Sequence, residues 1–143
     1  MNIGQILKSK ARGVETGRAD DSIEHIASRL AERNIGVIII TSENGSVTGV
    51  ISERDIIRLI AKNGAKALAL KASDGMTREV VTCTRANTLD EIMEMMAAGR
   101  FRHLPVVEDG ALVGIVSTSD IVKHHIAEVE LEVTAMRGYL ATG

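Results

Sequence analysis

Aromatic side chains are almost absent: Phe101 and Tyr139 are the only two, and tryptophan is missing altogether. With 45% of the residues hydrophobic, the interior must be aliphatic, and no aromatic platform is available on which nucleic-acid bases could stack. The single Cys83 excludes an internal disulfide and a cysteine-based zinc cage, and suits a reducing compartment. No apolar run approaches the ~20 residues of a membrane span. Nothing near Met1 resembles a signal peptide, because Asn2, Gln5, Lys8 and Lys10 interrupt the early apolar stretch. A net charge of −2 lacks the basic excess of a nucleic-acid binder. These absences lead to the expectation of a soluble, cytoplasmic protein with neither nucleic acid nor membrane as partner.

What the chain does have is repetition. Residues 49–60 read GVISERDIIRLI, and residues 114–125 read GIVSTSDIVKHH. Gly49, Ser52, Asp55 and Ile56 recur as Gly114, Ser117, Asp120 and Ile121 at an offset of 65. Upstream the offset is 66: Ser22, Ile23, Ile26 and Leu30 answer Thr88, Leu89, Ile92 and Met96, while Val14 and Thr16 answer Val80 and Thr82. The change of offset falls in the loop before Asn44-Gly45, the counterpart of Asp109-Gly110, where an insertion is easily tolerated. Such self-similarity implies two structural units of about 60 residues each. A chain of 143 residues buries roughly two-thirds of its unfolded surface, so the two halves are expected to share one compact body.

Within each unit the periodicity changes in the same order. Val14–Thr16 is a short extended piece. Ile23, Ile26, Ala27, Leu30 and Ala31 recur at helical spacing after a start at Asp21-Ser22, and the helix should stop near Asn34–Gly36. Val37–Thr41 is a β-branched run suited to a strand buried on both faces, and Glu43–Ser46 turns the chain into a strand over Val47–Ile51. A second helix follows Ser52 and runs to about Lys62, with Gly64 just past its end. The second unit repeats the pattern with an extended Val80–Thr82, a helix from Thr88 to about Ala98, strands over Leu104–Val107 and Leu112–Val116, and a helix from Ser117. The fold class is therefore α/β (α+β), with two β-α-β-β-α units. The expected boundaries are 1–63 for the first unit with its N-terminal segment, 64–76 for a partly helical linker, 77–127 for the second unit, and 128–143 for a helical extension toward Tyr139.

Chemistry concentrates at Ser52-Glu53-Arg54-Asp55 and Ser117-Thr118-Ser119-Asp120, each between a strand and a helix. One reading is a capping box, in which hydroxyl and carboxylate satisfy early helical N–H groups. The other uses the same position as a ligand site, since a helix start collects anions and a fixed carboxylate accepts from ribose hydroxyls. Arg100 and Arg102 have a plain reading as solvated cations at a helix end, and His103 as a packed strand residue. His124-His125 invites a metal reading, but neighbouring helical side chains diverge, and no metal is expected. Cys83 lacks a basic activator, and Met93, Met95 and Met96 suit gap-filling in an aromatic-poor core. No nucleophile–base pair, phosphate loop or metal spacing supports an enzyme.

The twin Gly-hydrophobic-x-Ser-x-x-Asp motifs, the paired units, the segment Arg102-His103-Leu104-Pro105-Val106-Val107 and the linker Met76-Thr77-Arg78 together resemble a tandem pair of CBS domains, named after cystathionine β-synthase. The resemblance covers nearly the whole chain. It implies pseudo-symmetric stacking of the units, with clefts for adenine nucleotides, and a regulatory rather than catalytic role toward an unknown partner protein. Carried over by position, it makes Asp120 the ribose acceptor with Ser117 and Thr118 beside it. Arg102, His103 and Arg100 then become phosphate contacts, and Thr82 lies on the base side. Asp55 and Ser52 would centre the other cleft, where Gly36-Val37 replace Arg102-His103, so the Asp120 cleft is expected to be the principal site. AMP, ADP, ATP and NAD are the candidate ligands, with S-adenosylmethionine ranked behind them. A homodimeric scaffold with vestigial clefts is the alternative.

Apolar residues surround much of both motif helices: Ile56, Ile57, Leu59 and Ile60 in one, Ile121, Val122 and Ile126 in the other. One face must cover its own sheet, and the remainder calls for a second copy. The resemblance implies the same homodimer, and Val129, Val133 and Met136 could extend the contact.

Overall fold

The computed structural model describes residues 1–10 and 13–142. In the first unit, helix α2 (Ile23–Arg33) starts where Ser22 Oγ accepts from the His25 N–H at 3.1 Å. It stops where Asn34 takes the left-handed φ of 52°, a conformation asparagine tolerates better than most residues. Strand β2 (Val37–Thr41) is buried at every position because it is central: β1 (Thr16–Gly17) pairs parallel on one side and β3 (Val47–Ser52) antiparallel on the other. Helix α3 (Glu53–Asn63) closes the unit. Ile23, Ile26, Leu30, Ile38, Ile40, Ile51 and Ile56 form an aliphatic core between helices and sheet.

The second unit follows the same plan with helix α5 (Leu89–Gly99), strands β4 (His103–Glu108) and β5 (Ala111–Ser117), and helix α6 (Thr118–Thr142). Val80–Thr82 does not form the expected strand. The chain instead touches the sheet at one residue, where the Cys83 N–H donates to Pro105 O at 3.0 Å and Cys83 O accepts from the Val107 N–H at 2.9 Å. Asp109 and Gly110 turn β4 into β5 with φ of 49° and 80°. The first unit's loop is longer and turns through Gly45 at φ 85°, which is where the repeat offset changes.

Two connecting segments tie the units together. Helix α1 (Ile3–Ser9) precedes the first unit in sequence and belongs to the second in space. Its Ile3 and Ile6 are fully buried with Leu89, Ile92, Leu104, Val106, Val116 and Ile121. The linker forms a 3-10 turn (Gly64–Ala69) and the short α4 (Ala72–Gly75), folded back on the first unit with Ala72 in its core. It then lays Thr77 beside β3, exchanging hydrogen bonds of 2.9 and 2.8 Å with Val50. The repeated glycines mark these crossings. A Cβ on Gly49 would lie 2.5 Å from Met76 Sδ, and one on Gly114 would lie 2.8 Å from Leu7 Cδ2.

Among the described residues, no helix is long and apolar enough to cross a membrane. Helix α6 is more than twice the length of α3, its counterpart, and residues 131–141 are all exposed.

Candidate ligand site

The two motif serines and aspartates adopt nearly superimposable geometry. Asp55 Oδ2 accepts from the Ser52 N–H at 2.8 Å and from Ser52 Oγ at 3.0 Å, and Ser52 Oγ accepts from the Asp55 N–H at 3.2 Å. The corresponding distances for Asp120 and Ser117 are 2.9, 3.0 and 3.2 Å. The capping box is therefore real in both units, and in each a single carboxylate oxygen, Oδ2, performs it. Capping and ligand binding are thus compatible, because the cap fixes the carboxylate while Oδ1 stays free to accept. Among the described residues, the loosely placed Arg58 guanidinium is the ion-pair partner of Asp55 Oδ1, at 3.7 Å.

Around Asp55 the units enclose a cleft of about 340 Å3. One wall is the motif itself, with Ser52, Glu53, Arg54, Asp55 and Arg58; the floor is apolar, with Val37, Val50, Val80, Val81 and Pro105. The opposite wall is Arg100, Phe101, Arg102 and His103 from the second unit. This differs from the sequence reading, which assigned those cations to Asp120 and left the Asp55 cleft without any. The strand bearing them starts across the unit boundary from the first unit's motif helix, a placement that sequence spacing does not carry. Arg54 and Arg58 were also overlooked, although both stand inside the repeated motif, opposite Ser119 and Lys123 of the second unit.

Asp120 is differently provided. Lys10 Nζ donates to Asp120 Oδ2 and to Ile115 O, both at 2.8 Å, so an ammonium from the N-terminal segment already sits on that carboxylate. Burial alone would raise the Asp120 carboxyl, but the Lys10 and Ser117 hydrogen bonds and the Lys10 charge outweigh it and hold it below the usual carboxylate range. Thr118, expected beside the ligand, ties its N–H to Arg102 O at 2.8 Å and lines a separate apolar hollow between α5 and α6. Thr82 is exposed and lies outside the Asp55 cleft.

His103 stands between the two motifs. Burial first, then the Lys10 charge, holds its imidazole below the ordinary histidine range, while Asp120 and Glu53 pull the other way. It is therefore a neutral group at neutral pH, able to gain a proton when an anion arrives. Arg100 caps α5 in the left-handed conformation at φ 57° and also lines the cleft. Burial pushes the Cys83 thiol up to about 11, leaving it inert. His124 and His125 diverge as helical neighbours should: His124 meets Ser9, and His125 faces the hollow beside α5. No group of metal-ligating side chains forms among the described residues.

The CBS domain family matches residues 12–62 and 70–126. The CBS-domain containing protein ATU1752 from Agrobacterium tumefaciens is 40% identical with a TM-score of 0.82, the match covering 87% of this chain and 99% of that one. The CBS domain pair of protein MJ0100, solved in complex with 5-methylthioadenosine and S-adenosyl-L-methionine, is 26% identical with a TM-score of 0.78, over 90% and 98% of the two chains. The mitochondrial CBS domain-containing protein CBSX3 of Arabidopsis thaliana is 28% identical, over 99% of this chain and 72% of its own. With two repeated units, two motif carboxylates at helix starts and family matches over both halves, the chain belongs to the CBS domain family.

Proposed function

We propose that this chain is a regulatory module that binds an adenine nucleotide in the Asp55 cleft and passes its occupancy to a partner protein. The observation that carries the reading is the meeting, in one cleft, of a fixed carboxylate from the first unit and the Arg100–His103 segment from the second. A volume of about 340 Å3 lies at the lower end of the range for small-molecule sites, roughly 300–1,000 Å3. The ribose hydroxyls donate to Asp55 Oδ1, the adenine lies on Val37, Val50, Val80 and Val81, and the phosphate meets Arg102 and His103. The adenosine moiety common to both ligands of the MJ0100 pair supports this class of ligand. The Asp120 site is secondary, because Lys10 already neutralises that carboxylate through Oδ2. CBS domain proteins are generally regulatory rather than catalytic, and the reading assigns no catalysis.

The module works as a homodimer through the outer faces of α3 and α6, where Ile57, Ile60, Val122 and Ile126 are 43–65% exposed.

Calorimetry with AMP, ADP, ATP, NAD and S-adenosylmethionine tests the ligand reading. At least one should bind at micromolar affinity, about −8 kcal/mol, and bind at least tenfold more weakly to Asp55→Ala. Absence of binding by all five at millimolar concentration would leave the homodimeric scaffold as the function.

A further inference from the structure

The exposed apolar residues of α6 are not scattered. Val122, Ile126, Val129, Val133, Met136 and Leu140 are each 43–69% exposed, and their spacing alternates strictly between four and three residues. That is the seam of a two-stranded coiled coil, with Ile126, Val133 and Leu140 at the a positions and Val122, Val129 and Met136 at d. β-Branched residues at a favour two strands. Leu131 and Tyr139 are the exposed large apolar residues of α6 that fall off the seam, at the f and g positions.

The charges flanking the seam select its direction. In a parallel pair each g position faces the e position five residues later on the other helix. Glu132 then faces Arg137 of the second copy. Among the described residues, neither Glu132 nor Arg137 has an ion-pair partner within its own chain. In an antiparallel pair g faces g and e faces e, which would set Glu132 against its own copy and Lys123 against Arg137. Like charges at such positions are repelled. An extension whose residues 131–141 are all exposed is marginal in water as a lone helix, so its apolar seam calls for a cover.

We infer that residues 122–140 of α6 form a parallel, in-register coiled coil with the same segment of a second copy. The seam spans fewer than three heptads and is too short to hold two chains alone. It therefore rests on the homodimer reading above and adds to it: the zipper continues the contact begun by Val122 and Ile126 and sets both bodies on the same side of the pair. The two clefts of the dimer are then equivalent by a two-fold axis running along the zipper.

Cysteine cross-linking tests the arrangement in the full chain, because the native Cys83 is buried and does not compete. Ile126→Cys and Leu140→Cys should each form disulfide-linked dimers on mild oxidation, and the outward-facing Thr134→Cys should not. In an antiparallel pair, equivalent residues 126 would be displaced by about 15 Å and residues 140 by about 27 Å, beyond disulfide reach. Glu132→Arg should weaken dimerisation at least tenfold, and adding Arg137→Glu should restore it. Cross-linking only in a mixture of Val122→Cys and Leu140→Cys chains would overturn the parallel orientation. A dimer that cross-links through Ile57→Cys but at neither zipper position would remove the coiled coil and leave the homodimer standing. A monomer by light scattering would remove both.

Discussion

Lys10 and Asp120, 110 residues apart, form a 2.8 Å ion pair that occupies the second unit's motif carboxylate, whereas its twin Asp55 meets no lysine. Both partners are mostly buried, with side chains 22% exposed. The pair also anchors the end of the N-terminal segment, because the same ammonium holds Ile115 O.

Lys10→Ala should therefore destabilise the fold by about 1–2 kcal/mol at pH 7, less than a fully buried charged hydrogen bond and more than a surface pair. The sign of the pH dependence follows from the depressed Asp120 carboxyl. Its contribution is present above the ordinary carboxylate value and is lost as pH falls through the lower folded value. Acid titration of thermal stability should show a shallower fall in Lys10→Ala than in the parent. An unchanged acid limb would mean that the pair contributes nothing in solution.

Arg102 discriminates phosphate from base and ribose. Arg102→Ala should weaken AMP binding by tenfold or more, in line with a charge-assisted hydrogen bond of roughly 1.5–3 kcal/mol, while adenosine affinity changes less than twofold. Equal losses for both would make Arg102 a structural residue.

His103 titration links pH to both folding and binding. Because its imidazole is depressed in the folded chain, the unfolded chain takes up a proton first. Its contribution to stability is lost as pH falls below about 6.5 and levels off beneath the folded value. A phosphate beside it favours the charged form, so nucleotide binding should take up a proton near neutral pH. Calorimetry in buffers of different ionisation enthalpy reads this uptake, which should vanish in His103→Gln.

The repeated glycines are expected to be intolerant for a shared reason. Gly49→Ala pushes a methyl into Met76 and to 3.1 Å from Thr77 O. The thioether can swing away but the backbone cannot, so overpacking should cost about 1–3 kcal/mol. Gly114→Ala meets only the flexible end of Leu7 and should cost less. Chemical denaturation of both variants checks the order.

The repeat and its element boundaries were legible because each depends on neighbours a few residues away. Ser22, Thr88 and Asn34 announce helix ends by their own hydrogen-bonding and φ preferences, and Val37–Thr41 announces a central strand by having no polar face. The site was half legible. The motif carboxylates stood out by repetition, but which cations face which carboxylate depends on how the units stack, and no local pattern encodes that. Lys10 shows the limit most clearly: it sits in no motif, yet it decides the state of Asp120. The missing strand at Val80–Thr82 has a similar cause, since Val80 and Val81 line the cleft instead of joining the sheet.

The exchange of α1 into the second unit has a consequence for synthesis. Ile3 and Ile6 leave the ribosome about 118 residues before Ile121 completes the core they enter. At about 5–20 residues per second, this amounts to roughly 6–24 s during which the core that buries the two isoleucines is incomplete. The first unit carries its own core and can form during that wait. The second cannot finish until α1 returns to it, so a helix made before both units is among the last of their elements to be placed.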